Sequence, residues 1–472
     1  MDSGRRSILR IGGAAIAGGL AGCSAFTGGG DEATDEEDDG EGGSTTEDES
    51  DATRTEPTDG TVETDGPVRI GGVYLTSGLA EPLGAPAAAA AEVAVDAIND
   101  AGGIGGHDVE IEIRDHGDNP QQQIRSLVQE FGVDALIGLT SSGVTLNSGP
   151  TVEQLEVPFV LTDVPTPYVT EPDTDTYGDY YESSTGRAAA TPNLFRTNAT
   201  TTHTTYAIAS LIDETYAGDG TLRIANMGPD YAYGQQTWDY VRAFLDGLGV
   251  DYEVVASEFP ELGAAIMTPQ IDSVLSADPD LLFTSFWAGD TVTFVEQAVE
   301  QGLFGEVDDV FDTTGADPTN FEALGDTMPE GVHFSGWYWP GAYDTEADRS
   351  FVERYRETYQ DDSEVLAHPT FTGGSTWAAI HAIKGAIEAA GSTAPGDVIP
   401  RLEGYTIEND PRGATTIDAT SHQATTGAVV GETTSDADVP YDGVGLTNTR
   451  TYPLDRETAL DLLDGSGLPP GL

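Results

Sequence analysis

The chain has 472 residues, with 82 acidic against 19 basic side chains and a formal net charge of −63. At 38% hydrophobic and 8% aromatic it can still bury a core, and its length allows two domains plus tails. A charge this negative excludes a protein that grips nucleic acid or anionic lipid through a basic face. Lys384 is the sole lysine, and the acidic residues run through the whole chain rather than one tail. That pattern suits a surface kept hydrated in concentrated salt, where self-repulsion is screened over short distances. A halophilic source is the expectation, with an ordinary acidic secreted protein as the alternative. Cys23 is the only cysteine, so no disulfide forms within the chain.

The first 23 residues read as an export signal. Arg5 and Arg6 form a twin-arginine start, followed by a short, glycine-rich apolar stretch from Ile11 to Ala21. That stretch is too short and too weakly apolar to span a bilayer as a stable helix. It ends Leu20-Ala21-Gly22-Cys23, which resembles a lipobox and makes Cys23 the expected lipidation site. Residues 24–66 then form an acidic tether, with Ala33, Ala52 and Val62 the hydrophobic residues between Asp31 and Asp65. Such a segment cannot offset its ordering entropy by burial and is expected to stay disordered. The three parts describe a soluble body held at the outer membrane face by lipid on Cys23, exported by the twin-arginine route.

From Val68 the chain alternates strands and helices. Val68–Leu75 is the first strand, Ala85–Asp100 an alanine-rich helix, Val109–Arg114 a strand, and Asn119–Phe131 an amphipathic helix. Strands Ala135–Leu139 and Phe159–Leu161 flank a helix from Ser142 to Leu155. After the threonine run 200–202 come a helix to Tyr216, strand Leu222–Met227, helix Tyr231–Leu248 and strand Tyr252–Phe259. Helix Thr268–Leu275, strand Leu281–Phe286, helix Asp290–Gln301 and strands Val310–Thr314 and Val332–Trp337 follow, then helices Ala347–Tyr359 and Gly374–Ala390. Strands alternating with helices of this length imply parallel sheets covered on both faces. The fold class is α/β, with two doubly wound lobes.

Several stretches carry a resemblance. They are VRIGGVYLTSGLAEPLG at the start, AINDAGGIGGHDVEIEIRD, ALIGLTSSGV, VPFVL, the DYAYG box at Asp230–Gly234, and FVEQAVEQGL at Phe294–Leu303. In this order and spacing the body resembles the solute-binding proteins of branched-chain amino acid ABC transporters, here in a haloarchaeal lipoprotein form. The resemblance implies the type I periplasmic-binding-protein fold, two lobes joined by three hinge crossings and closing on a small molecule. It assigns residues 67–199 plus 341–405 to lobe 1, 200–340 plus 406–452 to lobe 2, and 453–472 to a tail. It also implies an ABC permease as partner, a monomer, and no cofactor.

Ligands of open α/β sheets bind beyond the carboxyl ends of the strands. Thr140-Ser141-Ser142-Gly143 lies there, where free N–H groups at a helix start and two hydroxyls make a carboxylate cradle. The resemblance matches Ser141 and Ser142 to carboxylate-binding serines; a plain helix cap is the alternative. It further implies that Asp163, Val164 and Thr166 touch the ligand, whereas Pro165 has no N–H to offer where the family uses one. Tyr233 matches a tyrosine that closes from the second lobe, against the alternative of a core tyrosine. Trp287 falls near a family aromatic, and Leu83 stands where many relatives have an aromatic before glycine. Asp317 is the nearest match for the acid that holds an α-ammonium, and Asp163 is the substitute. If neither pointed inward, an amide, urea or small carboxylate would fit better than an amino acid.

The segment 173–191 has no family counterpart and reads as a solvated loop or a cap on the cleft. Asn198-Ala199-Thr200 is a glycosylation sequon beside an expected hinge. No Gly-x-Ser-x-Gly elbow, His-Glu-x-x-His or Walker loop occurs, and the seven histidines lack zinc spacing. The reading is a non-enzymatic receptor that captures a branched-chain or related amino acid, with a ligand-sensing subunit as the competing role.

Overall fold

The computed structural model describes residues 62–117, 119–177, 191–218, 220–362 and 365–472. Arg5, Arg6, Cys23, most of the acidic tether and residues 178–190 of the insertion lie outside these. The tether is expected to run to 66, yet its end is docked. Val62 is buried in a notch that only glycine at 105 leaves open, and Glu63 N–H donates to Gly391 O at 2.9 Å.

The first sheet takes strands β1 (Val68–Tyr74), β2 (Val109–Asp115), β3 (Ala135–Thr140), β4 (Phe159–Asp163) and β5 (Leu194–Arg196). All are parallel, in the order β2-β1-β3-β4-β5. The second holds β6 (Leu222–Met227), β7 (Tyr252–Glu258), β8 (Leu281–Thr284), β9 (Asp309–Thr313) and β10 (His333–Gly336) in the order β10-β9-β8-β6-β7. Its parallel part repeats the arrangement of the first sheet, so the two lobes share one winding and each has a switch point, β1/β3 and β6/β8. A small pair, β11 (Thr406–Ile407) with β12 (Thr415–Thr416), stands apart. Strands β13 (Gly427–Thr434) and β14 (Gly445–Pro453) then extend the second sheet antiparallel beside β10.

Small residues set the packing of lobe 1. Helix Glu81–Asp100 opens with Pro82 and buries Ala90, Ala91 and Ala94 in the same core as Ala378, Ala379 and Ala382 of helix Phe371–Ala390. Alanine on both faces lets the two backbones approach closely and spends no side-chain entropy. Lobe 2 is built from larger groups, with Trp238 stacked on Phe283 at 5.8 Å and Phe286 against Phe294 at 5.1 Å.

The chain passes between lobes at about 197–200, 336–338 and 424–427, the three crossings the resemblance implies. The last crossing falls later than expected. Ile407, Ile417 and Ala424 belong to the lobe 1 core, so residues 406–424 stay with lobe 1. The expected tail is part of lobe 2, because Leu454, Ala459, Leu463 and Leu472 bury in its core. Arg196 locks the first and third crossings together. Its side chain is fully buried and donates to Gln423 Oε1 at 2.5 Å and to the Val164 and Thr166 carbonyls at 3.0 and 2.6 Å. No helix among the described residues is long and apolar enough to cross a membrane.

Candidate ligand cleft

The carboxyl ends of the strands of both sheets meet between the lobes. Backbone strain gathers there. Leu139 near the end of β3, Ser141 after it, Ala288 after β8 and Thr314 after β9 are non-glycine residues with φ of 59°, 85°, 46° and 74°. Such conformations persist only where the surroundings over-determine them, and they collect at ligand sites. Gly138 in β3 is forced by close approach, since a Cβ on it would stand 2.4 Å from Val73 O, at φ 115°.

On the lobe 1 side, helix Ser142–Leu155 starts at the rim. Ser141 precedes it with φ 85° and ψ 135° and makes no side-chain cap bond. The serine hydroxyls at 141 and 142 have no partner among the described residues, and the first-turn N–H groups are free by helix geometry. Gly143 is exposed, so backbone is open to approach from the cleft. The helix start and its two hydroxyls stand where the sequence analysis expects them. Asp163 ends β4 beside Thr140, its register partner on β3. Its side chain is 2% exposed, and Oδ2 is buried without a hydrogen bond. Burial pushes its carboxyl well above the ordinary range, with the Thr140 hydroxyl lowering it and the Asp317 carboxyl raising it further.

Lobe 2 answers with aromatic rings and a second acid. Helix Ala232–Leu248 carries Tyr233 in its first turn, and the Tyr233 hydroxyl meets Thr314 Oγ1 at 2.7 Å. Tyr231 lies 5.9 Å from the Tyr233 ring and accepts from Trp287 Nε1 at 3.0 Å. Burial pushes both phenols above their usual range, and the Asp163 carboxyl adds a smaller push in the same direction. Asp317 caps the short helix Pro318–Leu324, with Oδ1 accepting from Thr319 N at 2.8 Å. Its Oδ2 is buried without a partner, and burial lifts its pKa to about 6. Ser285 Oγ, Thr313 Oγ1 and Trp337 Nε1 are further buried polar atoms without partners at these strand ends. Buried polar groups are nearly always satisfied, so such a concentration marks a surface shaped for something else to complete.

An apolar wall joins the lobes. Leu83, Ala199, Trp337 and Phe371 form one cluster with Trp287 against it, and Trp337 meets Phe371 edge-on at 4.9 Å. Leu83 and Trp287, expected in the site, are in this wall. Sequence reasoning missed Tyr231, Trp337 and Phe371. Tyr231 lay inside the DYAYG box, and Trp337 ended a predicted strand, so position at a strand end was the available signal.

Three expectations need correction. Val164 turns into the lobe 1 core, and its N–H and carbonyl are taken by Asn198 at 3.3 and 3.0 Å, with Arg196 on the same carbonyl. It offers the cleft nothing. The Thr166 carbonyl is likewise occupied by Arg196, although its Oγ1 is buried without a partner. Asn198 is fully buried and donates to Val164 O and Ala199 O, which closes the sequon to a glycan in the folded chain. A separate cavity of about 370 Å³ lies on the outer side of lobe 1, lined by Trp377, His381 and Tyr405. Its cations Lys384 and Arg354 are paired with Glu388 and Asp100, so it lacks the unsatisfied groups of the cleft.

Two like-wound lobes, three crossings and a strained, polar-lined cleft between them are the architecture of a two-lobed solute-binding protein. The chain belongs to the periplasmic binding protein family, whose sequence profile matches residues 67–438. Members bind solutes rather than transform them. A "Leu/Ile/Val-binding protein homolog 8" of Brucella abortus (strain 2308) is 27% identical over 305 residues, covering 62% of this chain and 70% of that protein. A closed leucine-, isoleucine-, valine-, threonine- and alanine-binding protein from Brucella ovis superposes with a TM-score of 0.67 at 20% identity, over 82% of this chain and 95% of that one. A Rhodopseudomonas palustris ABC transporter solute-binding protein in complex with 4-hydroxybenzoate gives 0.66 at 18%, over 83% and 98%.

Proposed function

We propose that this chain is the receptor of an ABC importer and captures a branched-chain or related amino acid between its lobes. The carrying observation is the meeting, at the strand ends, of a free helix start at Ser141–Gly143, two incompletely bonded acids and an apolar wall. In this reading the solute carboxylate takes the helix N–H groups and the serine hydroxyls. The ammonium takes Asp317, and an aliphatic side chain lies on Leu83, Trp287, Trp337 and Phe371. Binding shifts the lobes toward the closed form, which the permease reads. The names of the Brucella relatives support this ligand class.

In the same reading the receptor stands outside the cell as a monomer, exported through Arg5-Arg6 and anchored by lipid on Cys23. The acidic composition supports a halophilic, haloarchaeal setting. The deciding experiment is a thermal-shift screen of the whole chain in molar KCl, against branched-chain and other amino acids, amides, urea and small carboxylates. A solute at about 100 times its Kd stabilises by about 2.7 kcal/mol. Leucine, isoleucine or valine is the expected hit. An amide, urea or carboxylate as the only hit keeps a receptor and removes the amino acid. A permease gene found beside this one would favour import over sensing.

A further inference from the structure

The segment Pro469–Leu472 reaches from lobe 2 onto lobe 1 without being one of the three chain crossings. All four residues are buried, Leu472 in the lobe 2 core, and the Tyr240 hydroxyl donates to Pro469 O, which ties the segment to helix Ala232–Leu248. On its other side it lies flush on the short turn Pro167–Thr170 that follows β4 of lobe 1. A Cβ on Gly471 would stand 2.4 Å from Pro167 Cβ, and φ there is 62°, so only glycine fits the contact. Glu171 closes it. The Glu171 carboxylate is 1% exposed and accepts from Arg456 Nη2 on Oε1 at 2.5 Å and from Arg456 Nη1 on Oε2 at 3.1 Å. Gly471 N–H adds a bond to Oε2 at 2.9 Å, and Asp173 N–H one to Oε1 at 2.9 Å. Arg456 opens helix Arg456–Leu462, whose Ala459 belongs to the lobe 2 core. Thr170 Oγ1 donates to Gly471 O at 3.0 Å and accepts from Arg196 Nη2, and Arg196 also holds Gln423 beside the third crossing. The clasp and the hinge are one bonded network.

A bond between lobes favours whichever arrangement makes it. The lobes are in contact here, since Leu83 and Phe371 of lobe 1 share a cluster with Trp337, and Trp287 of lobe 2 packs against it. The Glu171–Arg456 pair is bidentate and its carboxylate is dry, so salt that screens an exposed pair such as Arg349–Asp344 weakens it less. Two of the chain's nineteen basic side chains, Arg196 and Arg456, are committed to this place. Arg456, Pro469 and Gly471 lie beyond residues 67–438, so the family profile does not contain the clasp. We propose that Glu171, Arg456 and the strap Pro469–Leu472 form a fourth, noncovalent crossing that favours the closed arrangement of the lobes, with Glu171 as its positioning residue. The inference goes beyond the choice of solute and holds for any solute the cleft takes.

Spin labels at two exposed positions, Gln122→Cys in lobe 1 and Asp272→Cys in lobe 2, read the lobe separation in the full chain carrying Cys23→Ser. Without solute the parent shows a short-distance population, and Glu171→Gln and Gly471→Ala each lose most of it to longer distances. Glu214→Gln breaks a pair with Arg450 inside lobe 2 and leaves the distances unchanged. Saturating L-leucine brings every variant to the same short distance, and the two clasp variants bind it about fivefold more weakly because less of the competent form is populated. Gly471→Ala keeps every bonding side chain and carries the test alone if Glu171→Gln does not fold. Longer distances in the solute-free clasp variants with no response to L-leucine keep the clasp and remove the branched-chain reading. A parent without a short-distance population overturns the clasp. Clasp variants that melt lower at unchanged distances also overturn it, and Glu171 then supports the fold alone.

Discussion

Two pairs of buried charged residues in this molecule behave in opposite ways. Asp410 and Arg412 in lobe 1 are almost wholly buried and neutralise each other's charge, although Arg412 Nη1 is left without a partner. Arg412 donates through Nε and Nη2 to the two carboxylate oxygens at 2.9 and 2.7 Å, and Thr415 Oγ1 adds a bond at 2.8 Å. Burial alone would lower the guanidinium pKa, but the Asp410 carboxylate more than offsets it and holds the proton more tightly than usual. Asp163 and Asp317 are buried as deeply, yet the chain gives them hydroxyls, one backbone N–H and each other. Where a fold needs a charge inside it brings the partner too. Where it withholds the partner, the incomplete group is available to a ligand, at a standing cost to the solute-free protein.

The sharpest way to break this contrast is to make the complete pair incomplete. Arg412→Met leaves the Asp410 carboxylate buried without its counter-charge and should cost about 3–5 kcal/mol, read by chemical denaturation. Adding Asp410→Leu should recover most of the loss, because two apolar groups need no pairing. If the single variant loses less than about 1 kcal/mol, water reaches the pair and the contrast fails.

The next effect concerns the incomplete pair and pH. The folded-state pKa of Asp317 stands at about 6 against 3.8 for the free side chain. The folded protein therefore binds more protons than the unfolded chain between those values, and stability falls as pH rises through that window. Between about pH 4 and pH 7.5, Asp317 alone should withdraw up to about 3 kcal/mol from the solute-free protein. General acidic repulsion follows the same sign, so the measurement is the difference in denaturation midpoint between the parent and Asp317→Asn across pH. Parallel curves would mean that solvent reaches the carboxylate and that the cleft is not dry.

The same contrast explains what could be read in advance. Strands β1 to β4 and β6 to β10 were legible because each is a short apolar run closed by turn residues, with helices between them. The β13–β14 hairpin was not. GAVVGETT and GLTNTRTYP are rich in glycine and threonine and no strand is predicted there, yet β13 pairs antiparallel with both β10 and β14. Ser141 was accessible to sequence reasoning from its place just past a strand end, where the fold class alone places a ligand, whereas Asp163, Tyr233 and Asp317 came from the family resemblance. Trp337 and Phe371 come from a hinge crossing and a helix start, and only tertiary structure brings them beside Leu83. Val164 misled for a related reason. The direction a residue takes after a strand is decided here by Arg196 and Asn198, far along the chain, and local sequence does not carry that information.

The smallest effect on stability belongs to Ser141, and it separates two roles that its position allows. A capping serine bonds a first-turn N–H, and its loss costs about 1 kcal/mol. Ser141 makes no such bond and holds φ at 85°, a conformation that alanine tolerates no worse. Ser141→Ala should therefore change stability by less than about 0.5 kcal/mol in denaturant unfolding. Solute affinity should fall about tenfold, because a hydroxyl facing a buried carboxylate is removed where water cannot replace it. The opposite outcome, a drop in stability with affinity intact, would make Ser141 an ordinary cap. The carboxylate would then rest on the N–H groups of Ser142 and Gly143 alone, and the anion-binding half of the cleft would be a property of the helix start and not of its side chains.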